Sequence, residues 1–324
     1  FQRHIDQLAP EDFIKCLRGL GSRDDVQPDD FRQMLYSRFG EGICEMFLVP
    51  YNEKVYATDL AGLDIEAMGR FFPQADAKEL LAGLGDASPP TYNSTFTYPE
   101  GGAVEIVRAL QHGIPPERIR LNEPVVQLDL RGHFAVTPRS TIEYDSLVST
   151  APLPTLLGLA GLPHDRDLYR HNKVLVFNLG FDRKGPSDVH WIYVPSREVC
   201  FYRVGFYDNI WPADRMSLYV EVGCRADADL SGDAIAAMQG RVMADLVSAG
   251  IVDGHHLVAS HHVVLDPAYV HITRESVDDV VEQKAALAAR GAHTIGRYGS
   301  WTYCSIEDNI VEARRLADLF NRSA

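Results

Sequence analysis

Two arginines, each set among tyrosines, are the residues of this sequence best suited to chemistry. The first stands in Gly296-Arg297-Tyr298-Gly299-Ser300-Trp301-Thr302-Tyr303, just ahead of a helix start. A strand or turn here would bring one Arg, one Trp and two Tyr to a single place. Ser305 is a good N-cap, Asp308 three residues on completes a capping box, and Glu307 and Asp308 suit the positive end of the helix dipole. A glycine-flanked arginine before a helix N-terminus could cradle an anion or cofactor, since a cation and free N–H groups converge there. On spacing alone the preferred reading is plainer: a last strand and a docking helix, with Ile310, Ala313, Leu316, Ala317 and Phe320 on one apolar face. The second arginine is Arg203. It lies on a candidate strand joined to that of Tyr193 by Pro195-Ser196-Arg197-Glu198, so a hairpin would set cation and phenol side by side. The pattern suits a small anionic ligand in a mostly neutral pocket. A nucleophile elbow, a complete phosphate loop and paired carboxylates at telling spacing are all lacking.

The elements that must position these residues read in three textures. Helical spacing runs to about residue 90. Pro10-Glu11-Asp12 opens a helix with Phe13, Ile14, Leu17 and Leu20 on one face, and Pro28-Asp29-Asp30 opens a second that Gly40 ends. A short helix over 43–49 stops at Pro50, a loop follows over 50–56, and another helix lies near 64–72. From about 90 the chain is turn-rich, and Gly101-Gly102 leads into a helix over 103–110. Short strands at 119–121, 125–130, 134–136 and 147–149 read as a β-meander joined to a parallel strand. Residues 173–179, 190–194, 199–206 and 216–222 are β-branched and aromatic, in lengths typical of an antiparallel sheet. A helix over 233–249, a strand at 261–265 and a helix over 277–290 deliver the chain to Gly296.

Charge narrows the partners. Of 324 residues, 31 are Lys or Arg and 45 Asp or Glu, a net −14, which disfavours nucleic acid and anionic membranes. Five scattered cysteines with no CxxC or Cys/His cluster indicate neither a disulfide framework nor a zinc site, and fit a reducing, cytoplasmic compartment. His255-His256 and His261-His262 would point to opposite faces of a strand, so no metal pair is expected. No apolar run reaches the ~20 residues of a membrane span. The first residues, Phe1-Gln2-Arg3, read like the middle of a longer chain.

Along nearly its whole length, and in the right order, the chain resembles UDP-galactopyranose mutases, particularly the eukaryotic type. These lie within the wider superfamily of amine-oxidase-like and protoporphyrinogen-oxidase-like FAD flavoproteins. The blocks are Phe1-Gln2-Arg3-His4-Ile5; Phe39-Gly40-Glu41-Gly42 leading into Pro50-Tyr51-Asn52-Glu53-Lys54-Val55-Tyr56-Ala57; Met68-Gly69-Arg70; and Asn93-Ser94-Thr95-Phe96-Thr97-Tyr98-Pro99. Trp191-Ile192-Tyr193-Val194-Pro195, Phe201-Tyr202-Arg203, Asp266-Pro267-Ala268-Tyr269 and the stretch 296–303 complete the series.

The resemblance implies an α/β flavoprotein, α+β as far as this chain goes, with an FAD-binding fold, a helical domain and an antiparallel-sheet substrate domain. Residues 1–95 would form the helical part, 96–150 part of the FAD-binding domain, 151–275 the sheet, and 276–324 the return to FAD. Phe1 and Gln2 would face the uracil, Tyr56 would lie near the nucleotide and Asn93 would touch the sugar. Arg70 and Arg203 would neutralise the diphosphate, with hydroxyls from Tyr193, Tyr269 and Tyr303. Arg297 would lie against the flavin, and Asp308, Asn309 and Ile310 would aim backbone N–H groups at it. In that family reduced FAD attacks the anomeric carbon as UDP leaves, and the flavin–sugar adduct recloses as furanose or pyranose. NAD(P)H would serve as an external reductant, the setting would be cell-surface polysaccharide synthesis, and an oligomer is compatible.

Departures accompany the likeness. The glycine-rich dinucleotide fingerprint of the Rossmann βαβ unit is absent, as is the family's histidine-bearing stretch near the flavin, and about a hundred residues are expected before Phe1. Val270-His271-Ile272 replaces the usual prolines, and Tyr56 the usual Trp. Two alternatives follow: an amine or porphyrinogen oxidase, indifferent to UDP and consuming oxygen, and a non-catalytic nucleotide-binding module without flavin.

Overall fold

The computed structural model describes residues 8–22, 27–69 and 95–323. Phe1, Gln2, Arg70 and Asn93 lie outside the described residues, as does the end of the helix expected near 64–72.

Three helices come first: α1 (Pro10–Gly21), α2 (Phe31–Ile43) and α3 (Val49–Tyr56). Asp30 caps α2, accepting the Gln33 N–H at 2.8 Å. The first two helices meet at glycines. A Cβ on Gly40 would fall 2.2 Å from the Gly19 carbonyl, and Gly40 itself takes φ +72°. Gly40 therefore breaks the helical path, but α2 resumes as far as Ile43. The loop that Pro50 predicts is a helix. A π turn (Cys44–Leu48) feeds directly into α3, whose first turn accepts Pro50 because no N–H is needed there.

Five antiparallel strands form the central sheet. They are β5 (Asn172–Phe181), β6 (Trp191–Tyr193), β7 (Arg203–Phe206), β8 (Ser217–Arg225) and β9 (Leu257–Leu265), in the order β6-β7-β8-β5-β9, with the single turn α6 (Tyr207–Ile210) directly after β7. Alternation along them makes two unlike faces. One carries Leu175, Phe177, Leu179, Val204, Leu218 and Val220 against α7 (Gly232–Ser248). Val242 and Leu246 of α7 are fully buried there, each worth about 1.5–3 kcal/mol. The other face sets Tyr193, Arg203, Glu221 and Val176 in one cross-strand row, and Trp191, Gly205, Tyr219 and Asn178 in the next.

Helix α3 lies over this second face. The carbonyl oxygen of Lys54 sits 1.9 Å from where a Cβ on Gly223 would be, so only glycine admits the helix. Lys54 Nζ then donates to the carbonyls of Val194 (3.0 Å) and Ser196 (2.8 Å), fastening α3 to the β6–β7 hairpin. Segment 266–272 is tied to the same helix. Buried Asn172 donates to the Val55 carbonyl at 2.6 Å and accepts the Tyr269 N–H at 2.8 Å. His271 donates to the Tyr56 carbonyl at 2.9 Å, and burial pushes its pKa down to about 4.

A third unit joins distant segments. Strands β1 (Gln127–Asp129), β2 (Phe134–Val136) and β3 (Thr141–Glu143) form an antiparallel meander, and β4 (Leu147–Ser149) pairs in parallel with β10 (Ala292–Thr294). Residues 119–121 belong to no ladder. α5 (Leu153–Leu159) and α8 (Arg274–Ala288) pack on the meander through Leu153, Leu157 and Leu287, with Trp301 among them. α4 (Val104–Gln111) buries no residue. After β10 come the single turn α9 (Gly296–Gly299) and α10 (Ile306–Ser323). Of the apolar face expected on α10, Ile310, Leu316 and Phe320 are half-buried while Ala313 and Ala317 are exposed.

Candidate active site

Arg203 stands mid-row on the sheet, between Tyr193 of β6 and Glu221 of β8. Its guanidinium carbon is 5.2 Å from the Tyr219 ring centre, 5.7 Å from Tyr193 and 6.0 Å from Trp191. One guanidinium nitrogen lies 3.5 Å from Glu221 Oε1, while Nε is buried without a hydrogen-bond partner. Burial opposes the Arg203 charge, but Glu221 and then Tyr219, Tyr193 and Tyr51 outweigh it and raise the pKa further. The group is a permanent cation. From α3, Tyr51 meets Tyr193 edge-on at 5.3 Å and Tyr202 at 6.1 Å, closing the cluster above the sheet.

Arg297 forms the second centre. Its guanidinium carbon is 4.6 Å from the Tyr303 ring, 5.2 Å from Tyr269 and 5.8 Å from Tyr298. Tyr269 and Tyr303 stack at 6.0 Å with 14° between planes. An Arg297 Nη donates to the Ala268 carbonyl at 3.3 Å, and Nε is again buried and unpartnered. The backbone is pinned as well: the Arg297 N–H donates to Asn309 Oδ1 at 3.0 Å, and the Gly296 N–H to Glu312 Oε2 at 2.7 Å. Trp301 does not join this group. It turns inward, 3% exposed, against Tyr169 and His171.

Tyr303 belongs to the Arg297 centre, against the guanidinium and stacked on Tyr269. Burial raises its pKa, and Arg297 and Arg203 partly counter that rise. Burial also raises Tyr269, and pushes Tyr219 up to about 12. All three phenols therefore keep their protons at neutral pH and can donate hydrogen bonds. Fixed donors and cations act more strongly where they are partly withdrawn from solvent than they would in solution.

Several expected residues sit otherwise than the sequence implies. Tyr56 is 1% exposed, its hydroxyl 3.4 Å from the Ala67 carbonyl, and its ring meets Phe31, Tyr269 and His271. It braces Tyr269 from behind and is too enclosed to touch a nucleotide. Asp308 and Asn309 do not present their N–H groups outward. That of Asp308 donates to Ser305 Oγ at 3.1 Å, that of Asn309 to the Ser305 carbonyl at 3.2 Å, and the Asp308 carboxylate accepts from Ser305 in return. The capping box forms as expected, and it consumes those donors. Ile310 follows half-buried inside α10. Glu221 and Tyr219 join the site without standing in any of the motifs above. The available signal is the alternation of Tyr219 and Glu221 with apolar Leu218, Val220 and Val222, which marks a strand face reserved for something polar.

The residues around Arg297 fit a flavin. The guanidinium forms no ion pair among the described residues, has one buried N–H without a partner, and is flanked by two stacked phenols. A planar heterocycle with ring-nitrogen and carbonyl acceptors suits both the charge and the open donor. Among the described residues, no three His, Cys, Asp or Glu side chains gather to hold a metal ion. No helix there is long and apolar enough to cross a membrane.

The comparisons with known proteins agree with this reading of the fold. A reduced UDP-galactopyranose mutase superposes with a TM-score of 0.79 at 21% identity, over 92% of this chain and 68% of that one. A protoporphyrinogen oxidase-like protein from Exiguobacterium sp. 255-15 gives 0.70 at 17%, over 96% and 73%. A fatty acid isomerase from P. acnes that produces CLA gives 0.65 at 12%, over 97% and 76%. At such identities the likeness is one of fold, and it spans both isomerase and oxidase chemistry. Residues 26–287 match the flavin-containing amine oxidoreductases, so the chain belongs to that family.

Proposed function

We propose that this protein is an FAD-dependent mutase of nucleotide sugars, interconverting the pyranose and furanose forms of a UDP-sugar of the galactose type. The observation that carries this reading is the Tyr193–Arg203–Glu221 row, with Tyr219 and Trp191 alongside and Arg203 Nε buried and unpartnered. A permanent cation ringed by phenols, within a chain of net charge −14, selects a compact anion such as a diphosphate.

In this reading the domains divide as helical (1–95), FAD-binding (96–150 and 276–324) and substrate sheet (151–275). Arg203 binds the diphosphate, and the hydroxyls of Tyr193, Tyr269 and Tyr303 donate to its oxygens. Negative charge grows on the leaving phosphate as the anomeric C–O bond breaks, and these donors stabilise that charge more than they stabilise the ground state. Glu221 holds the guanidinium in line. Arg297 and the Tyr269–Tyr303 stack hold the isoalloxazine. When bound and reduced, FAD supplies the nucleophilic chemistry at the anomeric carbon. The groups gathered here from the described residues are cations, phenols and one carboxylate that bind and orient, and none of them is required for that attack.

The test is turnover. The reduced holoprotein incubated with UDP-galactopyranose is expected to yield UDP-galactofuranose, resolved by chromatography, without net consumption of reductant or oxygen. Oxygen uptake with an amine or a porphyrinogen, and no furanose, would replace this reading with an oxidase.

A further inference from the structure

Beyond Trp191 the site opens into a cleft whose walls are aromatic. It encloses about 1070 Å³ between residues 95–98 and 188–212, and a smaller hollow of about 410 Å³ adjoins it through Tyr98 and Trp211. Four rings stand unusually bare in these walls: Trp211 is 54% exposed, Phe96 45%, Tyr207 40% and Tyr98 37%. A folded chain rarely leaves so much contiguous aromatic surface to water unless a ligand covers it.

The cleft is continuous with the arginine site by two routes. The Trp191 ring lies 5.8 Å from Phe96 and 6.0 Å from the Arg203 guanidinium. Tyr207 lies 5.0 Å from Tyr219, which in turn stands against Arg203. A molecule anchored at Arg203 can therefore run past Trp191 into the cleft without leaving the protein surface.

The lining chemistry selects the ligand. Among the described residues, neither Lys nor Arg lines the cleft and Asp188 is the one acidic group, a lining that disfavours a second phosphate or a propionate. Asp188, His190 and Thr95 supply hydrogen-bonding groups beside the rings. A neutral saccharide matches both features: its C–H face lies on the negative face of an aromatic ring, and its hydroxyls donate to the carboxylate. The space exceeds the needs of one hexose, drug-sized ligands taking about 300–1000 Å³.

We propose that this cleft is a saccharide subsite, built on Trp211, Phe96 and Tyr98 with Asp188 as hydroxyl acceptor, which seats neutral sugar rings beside the anion site at Arg203. That the sugars are galactose-like rests on the nucleotide-sugar reading; the preference for a neutral glycan rests on the cleft alone.

The experiment titrates the holoprotein with β-1,4-galactotetraose and, separately, with UDP, following tryptophan fluorescence and calorimetry. The tetraose is expected to bind with a Kd of about 1 mM or tighter. Trp211→Ala is expected to weaken it at least about tenfold and Asp188→Asn to a smaller extent, with UDP affinity unchanged in both. Trp211 is exposed, and Asp188→Asn provides a second variant should the first misfold. Arg203→Ala is expected to do the reverse. Tetraose binding without UDP binding would remove the nucleotide-sugar reading and leave the subsite standing. No tetraose binding, binding indifferent to Trp211→Ala, or displacement of the tetraose by protoporphyrin but by no sugar would each overturn the subsite.

Discussion

The ring of Tyr219 occupies the space directly over Gly205, and a Cβ at position 205 would fall 1.9 Å from its Cε1. The two residues are cross-strand partners on β7 and β8, so the glycine sets where the phenol stands against Arg203. On the same sheet face Gly223 does likewise for the backbone of Lys54. The site is thus shaped by two missing side chains as much as by those present.

Gly205→Ala and Gly223→Ala are expected to part in their effects. The alanine at 205 meets the far end of a ring that can swing, so stability falls by about 1 kcal/mol while UDP affinity drops severalfold as Tyr219 leaves Arg203. The alanine at 223 meets a helix backbone that cannot yield locally, and the loss is expected at about 3 kcal/mol or more. Urea midpoints paired with UDP titrations separate the two.

His271 gives a pH signature. Its folded pKa is lowered by burial to about 4 from an ordinary 6.5, so the unfolded chain binds the proton first as pH falls. Stability from this group is present above pH 6.5, is lost between 6.5 and about 4, and does not change below that. The full effect is about 3 kcal/mol. His271→Gln keeps a donor for the Tyr56 carbonyl but does not titrate. The difference between wild type and variant, followed by denaturant midpoint against pH, should therefore shrink across that window.

Arg297 is expected to govern flavin retention. Arg297→Met keeps much of the volume and removes the charge and the unpartnered N–H, and FAD affinity is predicted to fall about tenfold or more. Titration of the apoprotein with FAD, read by flavin fluorescence, checks this. Asn309→Ala, which frees the Arg297 backbone N–H, should produce a smaller loss.

Much of this arrangement was legible in local sequence. The capping box at Ser305 and Asp308, the meander and its parallel strand, and the hairpin pairing Tyr193 with Arg203 all follow from turn chemistry and period. What escaped is non-local or geometric. Glu221 lies 18 positions beyond Arg203 along the chain, and no periodicity connects them. Pro50 reads as a stop, because the π turn that carries the chain into α3 leaves no periodicity of its own in the sequence. Tyr56 reads as a ligand contact, yet Phe31, Tyr269 and His271 converge on it from three distant segments. Trp301 reads as a site residue, and the core around Leu153 and Leu287 claims it.

The central claim is that Arg203 binds the diphosphate of a nucleotide sugar, and it is tested most directly by titrating reduced wild type and Arg203→Ala with UDP. A charged hydrogen bond of this kind is worth about 1.5–3 kcal/mol, so the variant should bind about 10- to 100-fold more weakly with unchanged FAD content, even though its unfolding midpoint falls as Glu221 loses its partner. Equal UDP affinity in the two proteins, or none in either, would contradict the account.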